Sequence, residues 1–289
     1  MLMLGLTLAQ GAVRDASGQT LLIKDTSRVI AVGSSVTEII YALGAEKRLV
    51  GVDSSSNFPA AAQKLPQVGY RRSLGAEGVL SLGPSLIIAV DDTGPPAVLV
   101  QLRGSGVPLL LVDDTPSLEG VKANIRLIGK ALALDERAEA LVRRIEVGAL
   151  QARALYSQIH QRPRVVFVYS SGSGNLTLSG TGTAADSMIK LAGGVNAVTG
   201  YSGYKAITAE ALVLAQPDYI VMLDRGLQAV GGIEGFLKTP GVAATPAGRN
   251  RRILSFEGNY LLGFGPRAGQ AILELTLALH PELRVAQRP

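Results

Sequence analysis

Two pairs of neighbouring aspartates, Asp91-Asp92 and Asp113-Asp114, have the residue type and spacing for acid–base work, because one carboxyl beside another can retain a proton. Each pair follows an apolar run that reads as a strand, where aspartate commonly caps a turn, and capping is the preferred reading. The run Ser170-Ser171-Gly172-Ser173-Gly174 could cradle a phosphate or carry a nucleophilic serine. It has neither the Gly-x-Gly-x-x-Gly order nor a Gly-x-Ser-x-Gly elbow followed by a plausible histidine. The only histidines, His160 and His280, read as surface residues. With no cysteine there is no disulfide, thiolate metal site or cysteine nucleophile. An enzyme is therefore the less favoured class.

Two further carboxylates occupy matched places in a segment that occurs twice. Ala76-Glu77 opens an apolar helical stretch closed by Pro84 before the strand Leu86-Ile87-Ile88-Ala89-Val90, and Ala209-Glu210 leads in the same way to Pro217 and Tyr219-Ile220-Val221-Met222. A fainter correspondence links Glu38 to Ala45 with Asp186 to Gly194, both amphipathic helices ended by glycine. The chain reads as two similar lobes.

Composition agrees. A chain of 289 residues, 47% hydrophobic, with a mean hydropathy of +0.28, can bury one large core or two ordinary ones. The formal charge of +5 and a pI near 9.5 favour acidic ligands or partners. The basic residues are scattered and only 4% of residues are aromatic, which argues against nucleic acid. No stretch is long enough to cross a bilayer. Residues 1–12 read as a truncated or mis-started export signal that lacks a basic start, with a short buried strand as the alternative.

Residues 13–134 form the expected N-terminal lobe. A hairpin turns at Ser17-Gly18, strands cover Arg28 to Val32, Leu49 to Val52 and Leu109 to Val112, and Ser35 with Glu38 reads as a capping box. From Asp135, Ala138, Leu141, Val142, Ile145, Ala149, Ala152, Leu155, Tyr156 and Ile159 recur at helical spacing. A helix over 135–161 would span roughly 35–40 Å and would act as a strut between the lobes. Strand–helix alternation resumes in 162–289, from Arg164 to a last helix around Ala268 to Leu279.

Two α/β, Rossmann-like lobes joined by a single long α-helix resemble the substrate-binding proteins that feed bacterial ABC importers of metal chelates. The loop from Gly51-Val52-Asp53 through Phe58-Pro59 and Gly69-Tyr70-Arg71-Arg72 to Ala76-Glu77-Gly78 sharpens the resemblance to the periplasmic haem-binding proteins of haem-uptake ABC transporters. Thr183 to Ile189 and Asn259 to Arg267 match as well, so the resemblance covers about Arg28 to Leu279.

That resemblance implies tyrosine as the axial ligand of the haem iron, at Tyr70. Ferric iron accepts a phenolate oxygen, a nearby guanidinium favours the anion, and arginine grips a carboxylate such as a propionate in bidentate fashion. Arg71 and Arg72 could each serve either purpose, and Arg225, just after a strand of the second lobe, is a further candidate for a propionate. Some family members carry a histidine in the loop after the first strand of the second lobe. Here that loop, Tyr169 to Asn175, has none. Five-coordinate haem on Tyr70 is expected, with Tyr260, Tyr201 or Tyr204 as a weaker partner, and two stacked haems are compatible with an open cleft.

The resemblance thus implies a non-enzymatic periplasmic protein that binds haem, its transported ligand, between the lobes. It would deliver the haem to a permease dimer with its ATPase, with Glu77 and Glu210 meeting arginines of the permease. Another iron chelate or a corrinoid is the alternative ligand, and an α/β enzyme is the rival class.

Overall fold

The computed structural model describes residues 12–157, 159, 161–171 and 176–285. Residues 1–11 of the expected export segment, His160 and 172–175 lie outside them. The chain divides into two compact units, 1–143 and 144–289.

The first unit opens with the antiparallel hairpin β1 (Val13–Arg14) and β2 (Thr20–Leu21). Then follow β3 (Val29–Val32), α1 (Ser34–Ala42), β4 (Leu49–Val52), α2 (Ala76–Leu80), β5 (Leu86–Val90), α3 (Pro96–Gly104), β6 (Leu109–Val112), α4 (Leu118–Ala131) and α5 (Asp135–Tyr156). Strands β4-β3-β5-β6 make one parallel sheet in that order. Their near-continuous apolar runs are buried, as a parallel sheet covered on both faces requires. Ile30, Val32, Ile87, Ala89, Leu109 and Leu111 pack with Val79 and Leu102 on one side. Because β4 lies on one side of β3 and β5 on the other, the strand order reverses between β3 and β5, where α/β sheets offer a crevice at their carboxyl ends.

The division between units falls within α5, which at 22 residues is about 33 Å long. Ala138, Leu141, Val142, Ile145 and Ala152 are its buried stripe. Its later turns pack closely: a Cβ at Gly148 would lie 2.7 Å from the Gly269 backbone.

The second unit contains β7 (Arg164–Ser171), β8 (Leu176–Ser179), α6 (Ala184–Leu191), β9 (Val195–Asn196), β10 (Tyr204–Ile207), α7 (Ala209–Ala215), β11 (Tyr219–Leu223), α8 (Asp224–Ala229), α9 (Gly232–Leu237), α10 (Pro246–Arg249), β12 (Ile253–Phe256), α11 (Gly258–Leu262), α12 (Ala268–Leu279) and α13 (Glu282–Val285). Its mixed sheet runs β10-β8-β7-β11-β12, with β9 also on β7. Strands β7, β11 and β12 are parallel, and β8 and β10 add antiparallel pairs.

The two glycine-ended helices also share a hydrogen-bond pattern. In α1 the amide of Gly44 donates to the Tyr41 carbonyl and that of Ala45 to Ile40; in α6 Gly193 donates to Lys190 and Gly194 to Ile189. Both are the same left-handed helix end, with φ of 70° at Gly44 and 82° at Gly193. Two expectations need correction. The Ser35–Glu38 capping box does not form: α1 starts at Ser34, its N-cap is Gly33 with φ 116°, and Glu38 is buried within the helix. His280 is not a surface residue. It follows α12, is 2% exposed, and its Nδ1 lies 3.3 Å from Glu282 Oε1, because α13 continues past it instead of leaving it at a loose end.

Candidate functional site

The loop after β4 returns along the strand it leaves. Val68 N donates to Val52 O at 3.0 Å, and Ser54 N to Gly69 O at 2.9 Å. At Gly69 the backbone turns with φ 103°, a conformation costly for any residue with a Cβ. Tyr70 follows as the N-cap of a single 3₁₀ turn, Arg71–Ser73, with Ser73 N donating to Tyr70 O at 2.9 Å. The tight turn holds Tyr70 outward, 45% exposed.

The two arginines beside it turn to the loops that follow β5 and β6. Arg71 Nη1 pairs with Asp92 Oδ1 and lies 3.2 Å from Asp114 Oδ2. Arg72 donates Nε and Nη2 to Asp92 Oδ2 at 3.0 and 2.8 Å. Asp92 and Asp114 directly follow the ends of parallel strands, so these pairs place the Tyr70 turn at the carboxyl edge of the sheet. Burial raises the Asp114 carboxyl above its usual range; the Arg71 guanidinium opposes that shift.

The aspartate pairs therefore divide their work. Asp113 accepts from Thr115 N at 2.8 Å, the local capping expected, whereas Asp91 accepts from Asp114 N at 3.0 Å and so ties the two loops together instead of capping its own turn. Asp92 and Asp114 instead anchor arginines, a role missed in the sequence because the partners lie 20 and 43 residues away. Strand order alone brings them together.

In the second unit the carboxyl ends of β7, β11 and β12 carry Tyr169, Arg225 and Tyr260 respectively. Arg225 is exposed in the first turn of α8. Tyr260 sits in α11, whose N-cap Glu257 accepts from the Asn259 and Tyr260 amides at 2.9 and 2.7 Å. The Tyr260 hydroxyl is buried; burial first, and then the neighbouring Glu274 carboxylate, push its phenol far up, which counts against a phenolate there. Arg267 lies over its ring at 5.0 Å. Tyr201 donates its hydroxyl to Leu178 O at 3.1 Å. Tyr204 instead packs on Tyr169 with ring centroids 5.0 Å apart, and burial raises its phenol. No periodicity in the sequence announced that aromatic pair.

Glu77 and Glu210 are exposed in the first turns of α2 and α7. The Glu210 carboxylate is held below its usual range by its own backbone amide and by the Thr208 hydroxyl. Among the described residues no group of three or more His, Asp or Glu could hold a metal ion, and no helix is long and apolar enough to cross a membrane.

The chain thus comprises two α/β units, each with parallel strands whose carboxyl ends carry loop side chains, with a long helix at the boundary between them in the sequence. The chain belongs to the Periplasmic binding protein family, which it matches over residues 29–260. It is a non-enzymatic, periplasmic component of that type. The solved structure of the periplasmic heme-binding protein RhuT from Roseiflexus sp. RS-1, in apo form, is 43% identical with a TM-score of 0.84, covering 90% of this chain and all of that one. An uncharacterised ABC transporter substrate-binding lipoprotein of Bacillus subtilis, YvrC, is 27% identical over 93% of this chain and 85% of its own length. A vitamin B12-binding protein of Pectobacterium atrosepticum is 28% identical over 68% and 71% respectively.

Proposed function

We propose that this protein captures haem, holds its iron through Tyr70 and its propionates through Arg72 and Arg225, and hands it to the permease dimer of an ABC transporter, docking through Glu77 and Glu210. The observation that carries this reading is the exposed phenol of Tyr70, flanked by two arginines at the carboxyl edge of the first sheet. A single protein oxygen suits a ferric ion that arrives already wrapped in a macrocycle, because a bare ion needs several donors. The identity of 43% to a heme-binding protein supports haem over a corrinoid, because vitamin B12-binding relatives stand at 24–28%.

The test is a visible titration of the purified protein with hemin, beside a parallel titration with cyanocobalamin. Saturable uptake of hemin with a high-spin ferric tyrosinate charge-transfer band is expected. Saturation by cyanocobalamin with no hemin uptake would make the corrinoid the ligand.

A further inference from the structure

Asp92 is one carboxylate shared by two guanidiniums that differ in freedom. Arg71, with a side chain 17% exposed, meets Asp92 Oδ1 and also Asp114, and its carbonyl accepts from Gly94 N at 2.9 Å. Leu74 N donates back to Gly94 O at 3.0 Å, so backbone bonds staple this turn to the loop that carries Asp92. Arg72, with a side chain 59% exposed, has Asp92 as its only ion-pair partner among the described residues.

The edge of contact decides what Arg72 can still do. A guanidinium has five N–H groups in a fixed fork. Arg72 gives Nε–H and one Nη2–H to Asp92 Oδ2, which leaves both Nη1–H groups and the second Nη2–H at the outer end. That outer end matches a carboxylate in bidentate geometry. An arginine already bonded along one edge loses less side-chain freedom on gripping that anion than a free one would.

We propose that Asp92 is a positioning residue, which fixes the inner edge of Arg72 so that its outer end takes a propionate of the ligand, while Arg71 serves as the static strut of the turn. The assignment rests on the haem reading above and chooses between the two arginines within it.

A double-mutant cycle tests it, with Asp92→Asn made in the wild type and in Arg72→Gln, and with hemin and hemin dimethyl ester as probes. In the wild type Asp92→Asn should weaken hemin binding about tenfold, the size expected for one misplaced charge-assisted contact. It should change hemin binding little in Arg72→Gln, and binding of the ester little in either background. The tyrosinate band should persist throughout. Equal losses in both backgrounds, or equal losses with the ester, would overturn the assignment by showing that Asp92 acts through the fold; so would undiminished hemin binding in Asp92→Asn. If Asp92→Asn melts early, the same cycle run with Asp92→Ser below its melting temperature carries the same criteria. A wild-type protein that takes up no hemin would overturn the haem reading itself, whereas normal uptake with an additive cycle would overturn only the role of Asp92.

Discussion

The two units carry related phrases that have folded differently. Gly69-Tyr70-Arg71-Arg72 precedes Ala76-Glu77, and Gly203-Tyr204-Lys205 precedes Ala209-Glu210 one residue closer. Both glycines have positive φ, 103° and 81°. In the first unit the tyrosine opens a 3₁₀ turn and its basic neighbours are bound to Asp92 and Asp114. In the second the tyrosine begins β10, pairs with Ser179 in register, packs on Tyr169, and is followed by Lys205 over the Tyr201 ring at 5.0 Å. A strand fixes its side chains to the two faces of a sheet, whereas a turn stapled at its base leaves one side chain to project. The same residue types occur twice, and the local backbone makes only the first tyrosine available with arginines beside it.

The sharpest way to break this contrast is to remove each phenol oxygen. Tyr70→Phe should abolish the tyrosinate charge-transfer band and lower hemin affinity on the order of a hundredfold, roughly 3 kcal/mol, while loose binding through the apolar macrocycle persists. Tyr204→Phe keeps the ring that meets Tyr169 and should leave the band intact. Visible spectra of both variants decide the matter. A band lost in Tyr204→Phe and kept in Tyr70→Phe would reverse the assignment.

The next contrast is between the duplicated glutamates, which the repeat places alike. The double variant Glu77→Ala with Glu210→Ala should bind hemin normally and lose most of the stimulation of the reconstituted transporter's ATPase. Each single variant should lose part of it. If the glutamates only complement the dipoles of their short helices, stability would fall slightly and stimulation would stay whole.

Much of this organisation was legible in the chain because it rests on local pattern. Strands at Leu49–Val52, Leu86–Val90 and Leu109–Val112 are continuous apolar runs between polar turns, and the structure bounds them where those runs begin and end. The glycine that ends α1 and the one that ends α6 were equally readable. What depends on strand order was not readable: nothing near Arg71 in sequence points to Asp114, and only the adjacency of β5 and β6 joins them. The second Gly-Tyr-basic phrase was hidden by its one-residue offset and by the change from turn to strand. Ser35 and Glu38 had capping-box spacing, yet Gly33 starts the turn and the Glu38 side chain goes to the interior.

A smaller effect separates the two arginines. Arg71→Gln removes the cation shared by Asp92 and Asp114 and should destabilise the first unit by about 2 kcal/mol, seen as a lower midpoint in chemical denaturation. Arg72→Gln loses a mostly exposed pair and should cost less than about 1 kcal/mol, with its effect confined to ligand affinity. Equal destabilisation by both would remove the distinction between strut and grip.

The smallest effect distinguishes the duplicated helices α1 and α6 through pH. Asp186 of α6 is 3% exposed, with bonds from Gly182 N at 3.0 Å, Lys190 Nζ at 2.8 Å and Asn196 Nδ2 at 3.1 Å, whereas the matching place in α1, counted back from the glycine that ends each helix, holds the neutral Thr37. Burial alone would raise its carboxyl, but the three donors outweigh that and hold it below the usual carboxylate range. A carboxylate whose folded pKa is depressed adds stability above its unfolded pKa and loses it as pH falls through the folded value. Asp186→Asn should therefore cost about 1 kcal/mol at pH 7, with a deficit that stays constant down to about pH 4 and shrinks in stronger acid. Denaturation midpoints of the two proteins between pH 7 and pH 3 measure it. A deficit that is the same at every pH would mean that the shape of the side chain, and not its charge, holds the start of α6.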